Sequence, residues 1–192
     1  AGNIAHELNN PLTGIFSLAD LLLEDFEKDG NTYKDMLEIK NAAARCQRII
    51  KDLLDFSSVE NQSRPVDIDV NVIINKTLPL LKMAMREMNS NVDLFSSPLK
   101  VNCNPQLLQQ VIFNLINNAC QAMRPGGELG VFTKKIGSKV LIYIRDTGPG
   151  DPKDIREFIF DPFFTTKDEG KGTGLGLSMS RSVVQRAGGE LS

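Results

Sequence analysis

Two amphipathic patterns occupy the first third of the chain. From residue 1 to about residue 28, apolar residues recur every three or four positions, which predicts a long helix. Pro11 lies inside this pattern, so we expect a kink or local loosening between His6 and Leu12. A second apolar stripe runs from Tyr33 to Leu54. Two such helices form a hairpin with too little apolar mass to stand alone, and pairing two hairpins in a homodimer gives a four-helix bundle.

A polar, turn-rich stretch follows the two helices. Residues 61–65 are the predicted linker between an all-α domain of residues 1–60 and a second domain of residues 66–192. In the second domain we expect an α+β sandwich, with helices on one face of a mixed, mostly antiparallel sheet. The predicted helices cover residues 71–88, 104–123 and 175–184, and the predicted strands cover residues 66–70, 92–95, 100–103, 129–135 and 139–145.

The helix predicted at residues 104–123 has two contrasting faces. Apolar residues from Leu108 to Met123 form one stripe, and a polar face runs opposite to it. Solvated helix faces are usually rich in Lys and Glu, whereas Asn is a poorer helix former. This favours a face that binds donors, acceptors or a metal, although from the helix alone a solvated surface is an equal alternative. The polar face consists of Gln110, Asn114, Asn118 and Gln121, at helical spacing.

Composition narrows the class of protein. A net charge of -2 argues against a nucleic-acid binder, which normally has a basic excess. The three cysteines are widely spaced and odd in number, which favours free thiols in a reducing cytosol. No apolar run approaches the ~20 residues of a membrane span, and no signal peptide is visible. We therefore expect a cytoplasmic location and no membrane contact by these residues.

Three further motifs follow the asparagine-rich helix in a fixed order. A strand-like run ends in Asp146-Thr147-Gly148-Pro149-Gly150, residues 160–167 read FDPFFTTK, and residues 170–178 read GKGTGLGLS. Together with the helix, they resemble the ATP-binding domain of sensor histidine kinases, a superfamily shared with gyrase, a heat-shock chaperone and mismatch-repair ATPases. Residues 6–12, HELNNPL, resemble the phosphoacceptor motif of the same family. The resemblance covers nearly the whole chain.

The resemblance implies an ATP-dependent protein-histidine kinase of a two-component system. Such a homodimeric enzyme phosphorylates its own histidine and passes the phosphoryl group to an aspartate on a response-regulator receiver domain. His6 would be the phosphoacceptor and Glu7 the base that takes its proton. Asn10 matches a position that in some relatives orients water for dephosphorylation, although a polar residue beside Pro11 is an equal alternative. The resemblance also implies further strands beyond residue 192 and any sensory or membrane segment before residue 1.

The resemblance assigns the asparagine face and the glycine turns to ATP and Mg²⁺. Asn118 would hold Mg²⁺ through its amide oxygen, and Asn114 would contact the phosphates or their metal, with Gln121 on the same face. Asp146 would accept a hydrogen bond from the adenine amine, although capping a turn is the commoner role for such an Asp. Gly148 and Gly150 would let the backbone approach the base.

The last glycine-rich motif is suited to the triphosphate, because backbone N–H groups and a helix N-terminus form an anion site. Residues 151–172 are predicted to be a lid over the nucleotide. Phe160, Phe163 and Phe164 belong to this lid or to the core. One departure from the family is Asp151, where an aliphatic residue is usual, and its carboxylate either weakens nucleotide binding or points to solvent. The predicted phosphate-binding residues are Gly172, Thr173, Gly174, Leu175 and Gly176, with Lys167 and Lys171 balancing charge on the transferred group.

Two other functions compete with the kinase. An ATP hydrolase of the same superfamily, acting as a conformational clamp, would carry a Glu one turn before the metal-binding Asn. That position is Asn114 here, and Gln110 is no base either, so the sequence disfavours hydrolysis. A non-catalytic dimeric scaffold is disfavoured by the intact His6-Glu7 pair and the complete glycine motifs.

Overall fold

A pair of long helices opens the chain in the computed structural model. Helix α1 (Gly2–Asp25) is helical through Pro11, and helix α2 (Asn31–Ser58) follows it. The hydroxyl of Thr13 donates to the carbonyl of Asn9 at 2.8 Å and accepts from Gln47 Nε2 at 3.1 Å, which ties the two helices together. The structure describes residues 2–26, 28, 30–58, 64–123, 126–167 and 172–192, with the backbone alone for residues 2–7, 48 and 52–58.

The helical hairpin buries little of its own apolar surface. Ala19 and Ala43 are buried, but Leu18 and Leu21 are 63% and 62% exposed. An ion pair from Lys40 to Asp20 adds a second link between the helices. The predicted hairpin is therefore present, and Leu18 and Leu21 face solvent in the single chain.

Contacts divide the chain into two compact units. The first consists of Ala1–Gln62 and Phe163–Leu175, and the second of Ser63–Pro162 and Gly176–Ser192. Five strands lie among the described residues of the second unit, in two sheets. Of the predicted linker, residues 61–65, the first three lie outside the described residues.

The strands of the second unit pair as a mixed, mostly antiparallel set. Strand β1 (Val66–Asp69) is antiparallel to β3 (Lys100–Cys103). In the other sheet, β2 (Met88–Asp93) runs parallel to β4 (Gly127–Ile136), which is antiparallel to β5 (Lys139–Asp146). The sheet order β2-β4-β5 confirms the predicted mixed sheet.

Helices α3 (Val70–Thr77), α4 (Pro105–Ala122) and α5 (Gly176–Arg186) belong to the second unit. Side chains of α3 and α4 form one core with residues of β2 and β4. The fully buried members of this core include Val70, Ile74, Ile112, Ile116, Leu129 and Val131.

The predicted helix at residues 71–88 is wrong in length. Helix α3 ends at Thr77, and a 3-10 turn, Leu78–Leu81, follows because Pro79 has no N–H to continue the helix. The strand expected at residues 92–95 is also displaced, since β2 begins at Met88. Pairing of β2 with β4 extends the strand over the polar residues 89–91, so tertiary pairing overrides the local apolar pattern.

A buried threonine connects α3 to the larger sheet. Thr133 on β4 is only 4% exposed, and its hydroxyl accepts from the N–H of Phe95 at 2.8 Å and donates to Asn71 Oδ1 at 2.9 Å. Asp69 caps α3 by accepting from the N–H groups of Asn71 and Leu99 at 3.0 and 3.1 Å. These bonds fix the start of α3 relative to the sheet.

Candidate nucleotide site

Helix α4 forms the floor of the candidate site. Asn104 caps its start, with Oδ1 accepting from the N–H groups of Gln106 and Leu107, and Pro105 takes the first helical position. The apolar stripe is buried, whereas Asn114 and Asn118 are half-buried on the polar face. Gln121 is exposed at the end of the same face. The sequence therefore predicted both faces of this helix.

The N-terminus of α5 meets the asparagine face. A Cβ placed on Gly176, the first residue of α5, would lie 3.9 Å from Asn114 Nδ2 and 4.0 Å from Asn118 Nδ2. The first N–H groups of a helix lack helical partners and carry partial positive charge. This end of the face therefore combines amide side chains with a helix N-terminus, a combination that binds anions.

The turn after β5 meets the other end of the same face. Gly148 donates its N–H to Asp146 Oδ1 at 2.9 Å, and a Cβ on Gly148 would lie 3.3 Å from Ala122 Cβ. Ala122 is one helical turn beyond Asn118, so Asn114, Asn118 and Ala122 lie in a row. The row is about 12 Å long, given the rise of a helix. The turn and the N-terminus of α5 thus flank opposite ends of one helix face.

The turn continues into a segment that is open to solvent. Gly150 has a φ of +67°, a conformation that favours glycine, and a Cβ there would meet nothing within 4 Å. Asp151 is exposed, and its backbone carbonyl accepts from Arg156 Nε at 2.9 Å. Of the two alternatives for Asp151, the structure supports the exposed side chain.

A backbone hydrogen bond joins two segments at the base of the predicted lid. The N–H of Phe163 donates to the carbonyl of Gly174 at 3.0 Å. Phe163 is 57% exposed, so this ring is not core. Phe164 and Phe160 are half-buried, and the Arg181 guanidinium lies 4.8 Å from the centre of the Phe160 ring.

Lys167 lies in a crowded part of the same segment. Burial lowers the pKa of its amine from the ordinary value of 10.5, because desolvation disfavours the charged form. A Cβ on Gly172 would lie 2.7 Å from Thr165 Oγ1 and 3.1 Å from Lys167 Cδ, so the chain passes closely here. Thr173 is half-buried and Leu175 is buried, whereas Lys171 lies outside the described residues.

The predicted phosphoacceptor motif lies on the first helix. The backbones of His6 and Glu7 are helical within α1, and their side chains lie outside the described residues. Asn10, one turn further along, is exposed.

Sequence reasoning missed one contact of the site. It placed Met123 in the apolar stripe, and the side chain is indeed buried. Its sulfur, however, also accepts a hydrogen bond from the N–H of Thr147, at 3.2 Å, in the turn that carries Asp146. No local pattern indicates this contact, because the two residues are distant in the chain.

The chain matches two family models. Residues 1–62 match the His Kinase A (phospho-acceptor) domain, and residues 103–192 match the histidine kinase-, DNA gyrase B- and HSP90-like ATPase. Among curated relatives, sensor kinase CckA of Brucella abortus (strain 2308) is 34% identical over 98% of this chain and 22% of its own length. Sensor histidine kinase ZraS of Escherichia coli (strain K12) is 32% identical over 100% of this chain and 41% of its own length. The chain thus spans less than half of these relatives.

Solved structures of histidine kinases are also similar to this chain. Histidine kinase ThkA in complex with response regulator protein TrrA matches with a TM-score of 0.64 and 26% identity, over 98% of this chain and 54% of that one. The isolated catalytic domain of ThkA matches with a TM-score of 0.60 and 28% identity, over 65% of this chain and 82% of that one. No helix among the described residues is long and apolar enough to cross a membrane. The chain combines the phospho-acceptor domain with the ATPase domain, and it belongs to the sensor histidine kinase family.

Proposed function

We propose that this chain is the core of an ATP-dependent protein-histidine kinase, which phosphorylates His6 and then transfers the phosphoryl group to an aspartate of a response-regulator receiver domain. One observation carries the nucleotide part of the proposal. The asparagine face of α4 is flanked by the N-terminus of α5 at one end and by the Asp146-Gly148 turn at the other. A nucleotide also has two unlike ends, an anionic one and a base with donors and acceptors.

The chemistry of the two ends sets the orientation of ATP. The phosphates belong at Gly176, where a helix N-terminus and two amide side chains converge. The adenine belongs at Asp146, whose carboxylate accepts a hydrogen bond from the exocyclic amine. Gly148 and Gly150 keep the backbone beside the base free of side chains. The glycine motif just before α5 in the chain, residues 172–175, supplies further N–H groups for the phosphates.

The donor set also fits Mg²⁺. Among the described residues, no group of three or more His, Cys, Asp or Glu side chains is arranged to hold a metal ion. Mg²⁺ in nucleotide sites keeps waters and substrate phosphate oxygens and takes few protein ligands. Asn118 would be the protein ligand through its amide oxygen. The bound ion would neutralise charge on the phosphates.

The transfer step uses residues of the first motif. One imidazole nitrogen of His6 attacks the γ-phosphorus, the bond from phosphorus to the bridging oxygen breaks, and ADP leaves. Glu7 takes the proton from the other ring nitrogen as positive charge builds on the imidazole. Lys167 stabilises the negative charge on the phosphoryl group during transfer. Asn10 is proposed to orient water when the phosphoryl group is later removed from the regulator.

We propose a homodimer formed through the hairpin, within a domain of residues 1–60 that a linker of residues 61–65 joins to the ATP-binding domain of residues 66–192. The exposed Leu18 and Leu21 support this, since a four-helix bundle would bury them. The complex of ThkA with a response regulator supports the proposed partner. The cysteines 46, 103 and 120 are free thiols, which supports a cytoplasmic location.

The test compares ATP consumption with phosphate retained on protein. The chain is incubated with γ-labelled ATP and Mg²⁺, and a panel of receiver domains is then added. We expect one label per chain at most, loss of that label to a cognate receiver, and little free phosphate without the receiver. An ATP-hydrolysing clamp would instead release phosphate continuously, without labelling the chain, and His6→Ala would not alter that rate.

A further inference from the structure

The end of α4 touches the turn that carries Asp146 through a sulfur atom. The N–H of Thr147 donates to Met123 Sδ at 3.2 Å, and the hydroxyl of Thr147 lies 3.6 Å from the same sulfur. The hydroxyl also accepts from the N–H of Glu128 at 3.0 Å. A hydroxyl has one donor and two acceptor positions, so these contacts use its proton and one lone pair.

The strand pairing explains why the sulfur is needed. Asp146 is the last residue of β5 and is paired with Leu129 of β4, so Thr147 is the first residue beyond the sheet. Its N–H is therefore not used in the pairing of β5 with β4, and Met123 Sδ accepts it instead. A thioether is a weak acceptor, and the hydroxyl contact at the same atom supplements the bond.

The sulfur lies in a closely packed part of the structure. Met123 is buried, and a Cβ on Gly127 would lie 2.7 Å from Met123 Sδ and 3.1 Å from Thr147 Oγ1. Gly127 therefore leaves space for the sulfur and the hydroxyl to meet. The contact closes a junction between the end of α4, the start of β4 and the end of β5.

The junction sets the position of the adjacent carboxylate. Asp146 Oδ1 accepts from the N–H of Gly148 at 2.9 Å, which fixes the side chain relative to the turn. A carboxylate has two oxygens and about four acceptor positions, so this bond does not exhaust it. Thr147 lies between Asp146 and Gly148, and its contact with Met123 joins the turn to the end of α4.

We propose that Met123 and Thr147 are positioning residues for base recognition: they hold the Asp146 turn so that its carboxylate faces the adenine amine. This rests on the proposed binding of ATP with adenine at Asp146. Neither residue touches the nucleotide in this account. Loosening their contact weakens the proposed bond between Asp146 and the adenine amine, which a base without the amine cannot make.

The test measures dissociation constants of the whole chain for ATP and for inosine triphosphate, which carries the same ribose and phosphates but lacks the exocyclic amine. Thr147→Val removes the hydroxyl and keeps the shape, and Met123→Leu removes the acceptor with a small change of volume. We expect each to weaken ATP binding about fivefold, as for one lost hydrogen bond, with inosine triphosphate affinity changing less than about twofold. Thr147→Ser keeps the hydroxyl and should restore discrimination.

The matched control is Met179→Leu, the same substitution at a buried methionine of α5. It should leave the ratio of the two affinities unchanged. Equal weakening of both nucleotides, or no weakening of either, would overturn the positioning role. A wild-type chain that binds ATP without preferring it over inosine triphosphate would overturn adenine recognition at Asp146 and this inference with it. A kinase that lacks base preference would still label His6, so the two failures are distinguishable.

Discussion

Phe163 and Gly174, at the base of the predicted lid, share an unusual backbone conformation. Their φ angles are 69° and 67°, and the N–H of Phe163 donates to the carbonyl of Gly174 at 3.0 Å. A Cβ on Gly174 would lie 2.7 Å from Phe163 Cα. Glycine is therefore favoured at position 174 for two reasons: the backbone has a positive φ, and the Phe163 backbone leaves no space for a Cβ.

The first prediction follows from this contact. Gly174→Ala adds a left-handed conformational cost and a collision with backbone, so the lid base should open and ATP affinity should fall at least about tenfold. Gly188→Ala is the control, because Gly188 has a φ of +75° with nothing within 4 Å of its Cβ position. Calorimetric titration with ATP measures both variants. Similar affinities for the two would show that the collision with Phe163 is unimportant.

The second prediction concerns the asparagine face. Asn118→Ala should abolish the Mg²⁺-dependent part of ATP binding and change the free energy of unfolding by less than about 1 kcal/mol, because the side chain lies outside the apolar stripe. Asn117→Ala makes the same chemical change one position earlier on α4 and should leave ATP binding intact. Binding with and without Mg²⁺, together with urea unfolding, measures both effects. Parallel loss of stability and binding in Asn118→Ala would make the face structural.

The third prediction uses the lowered pKa of Lys167. Desolvation favours the neutral amine, so Lys167 should lose its proton at a lower pH than an ordinary lysine. Anionic phosphates prefer the protonated amine, so ATP affinity should fall as the pH rises through that lowered pKa. Lys167→Arg stays charged and should remove this fall. Dissociation constants over the alkaline range test it, and superimposable pH profiles for the two proteins would contradict it.

In the absence of ATP, the lowered pKa of Lys167 makes folding stability rise with pH, whereas ATP affinity falls. The unfolded chain keeps the Lys167 proton to higher pH than the folded chain does, so folding stability contributed by this residue rises between the lowered pKa and 10.5. Lys167→Arg should lack that rise. ATP affinity and folding stability should therefore change in opposite directions over one pH range. This opposite behaviour distinguishes titration of Lys167 from a general loss of stability at alkaline pH.

The fourth prediction isolates stability from nucleotide binding. Thr133→Val leaves the N–H of Phe95 and the Oδ1 of Asn71 without their buried partner, which should cost about 1–3 kcal/mol of unfolding free energy. Thr133→Ser keeps the hydroxyl and should cost less. ATP affinity should be unchanged in both, since these residues lie outside the proposed site. Urea unfolding measures the difference, and a larger loss for serine than for valine would contradict the role of the hydroxyl.

The sequence predicted elements wherever local pattern and tertiary structure agree. Helix α4 was expected at residues 104–123 and spans Pro105–Ala122, and β3 has its predicted bounds. The helix predicted at residues 71–88 contains Pro79, and in the structure α3 ends before this proline, at Thr77. Strand β2 depends on its pairing with β4, which no local pattern contains.

The sequence supplies candidate site residues from its motifs, whereas the contacts that support these residues are found only in the structure. Asn118, Asp146 and Gly176 were identified from motifs, and the structure brings Asn118 and Gly176 together. The roles of Gly174 and Met123 depend on contacts between residues far apart in the chain. Sequence patterns report periodicity and turn chemistry, whereas these contacts arise from the packing of separate elements.

The chemical stability of the phosphate label tests the central claim most directly. The chain is labelled with γ-labelled ATP and Mg²⁺, and the label is followed in acid and in alkali, in the wild type, His6→Ala and Asn118→Ala. If the label is a phosphoramidate on His6, the one histidine of the chain, it should be lost in acid and stable in alkali. It should also be absent from both variants. Label that survives acid, or that persists in His6→Ala, would contradict the assignment of His6 as the phosphoacceptor.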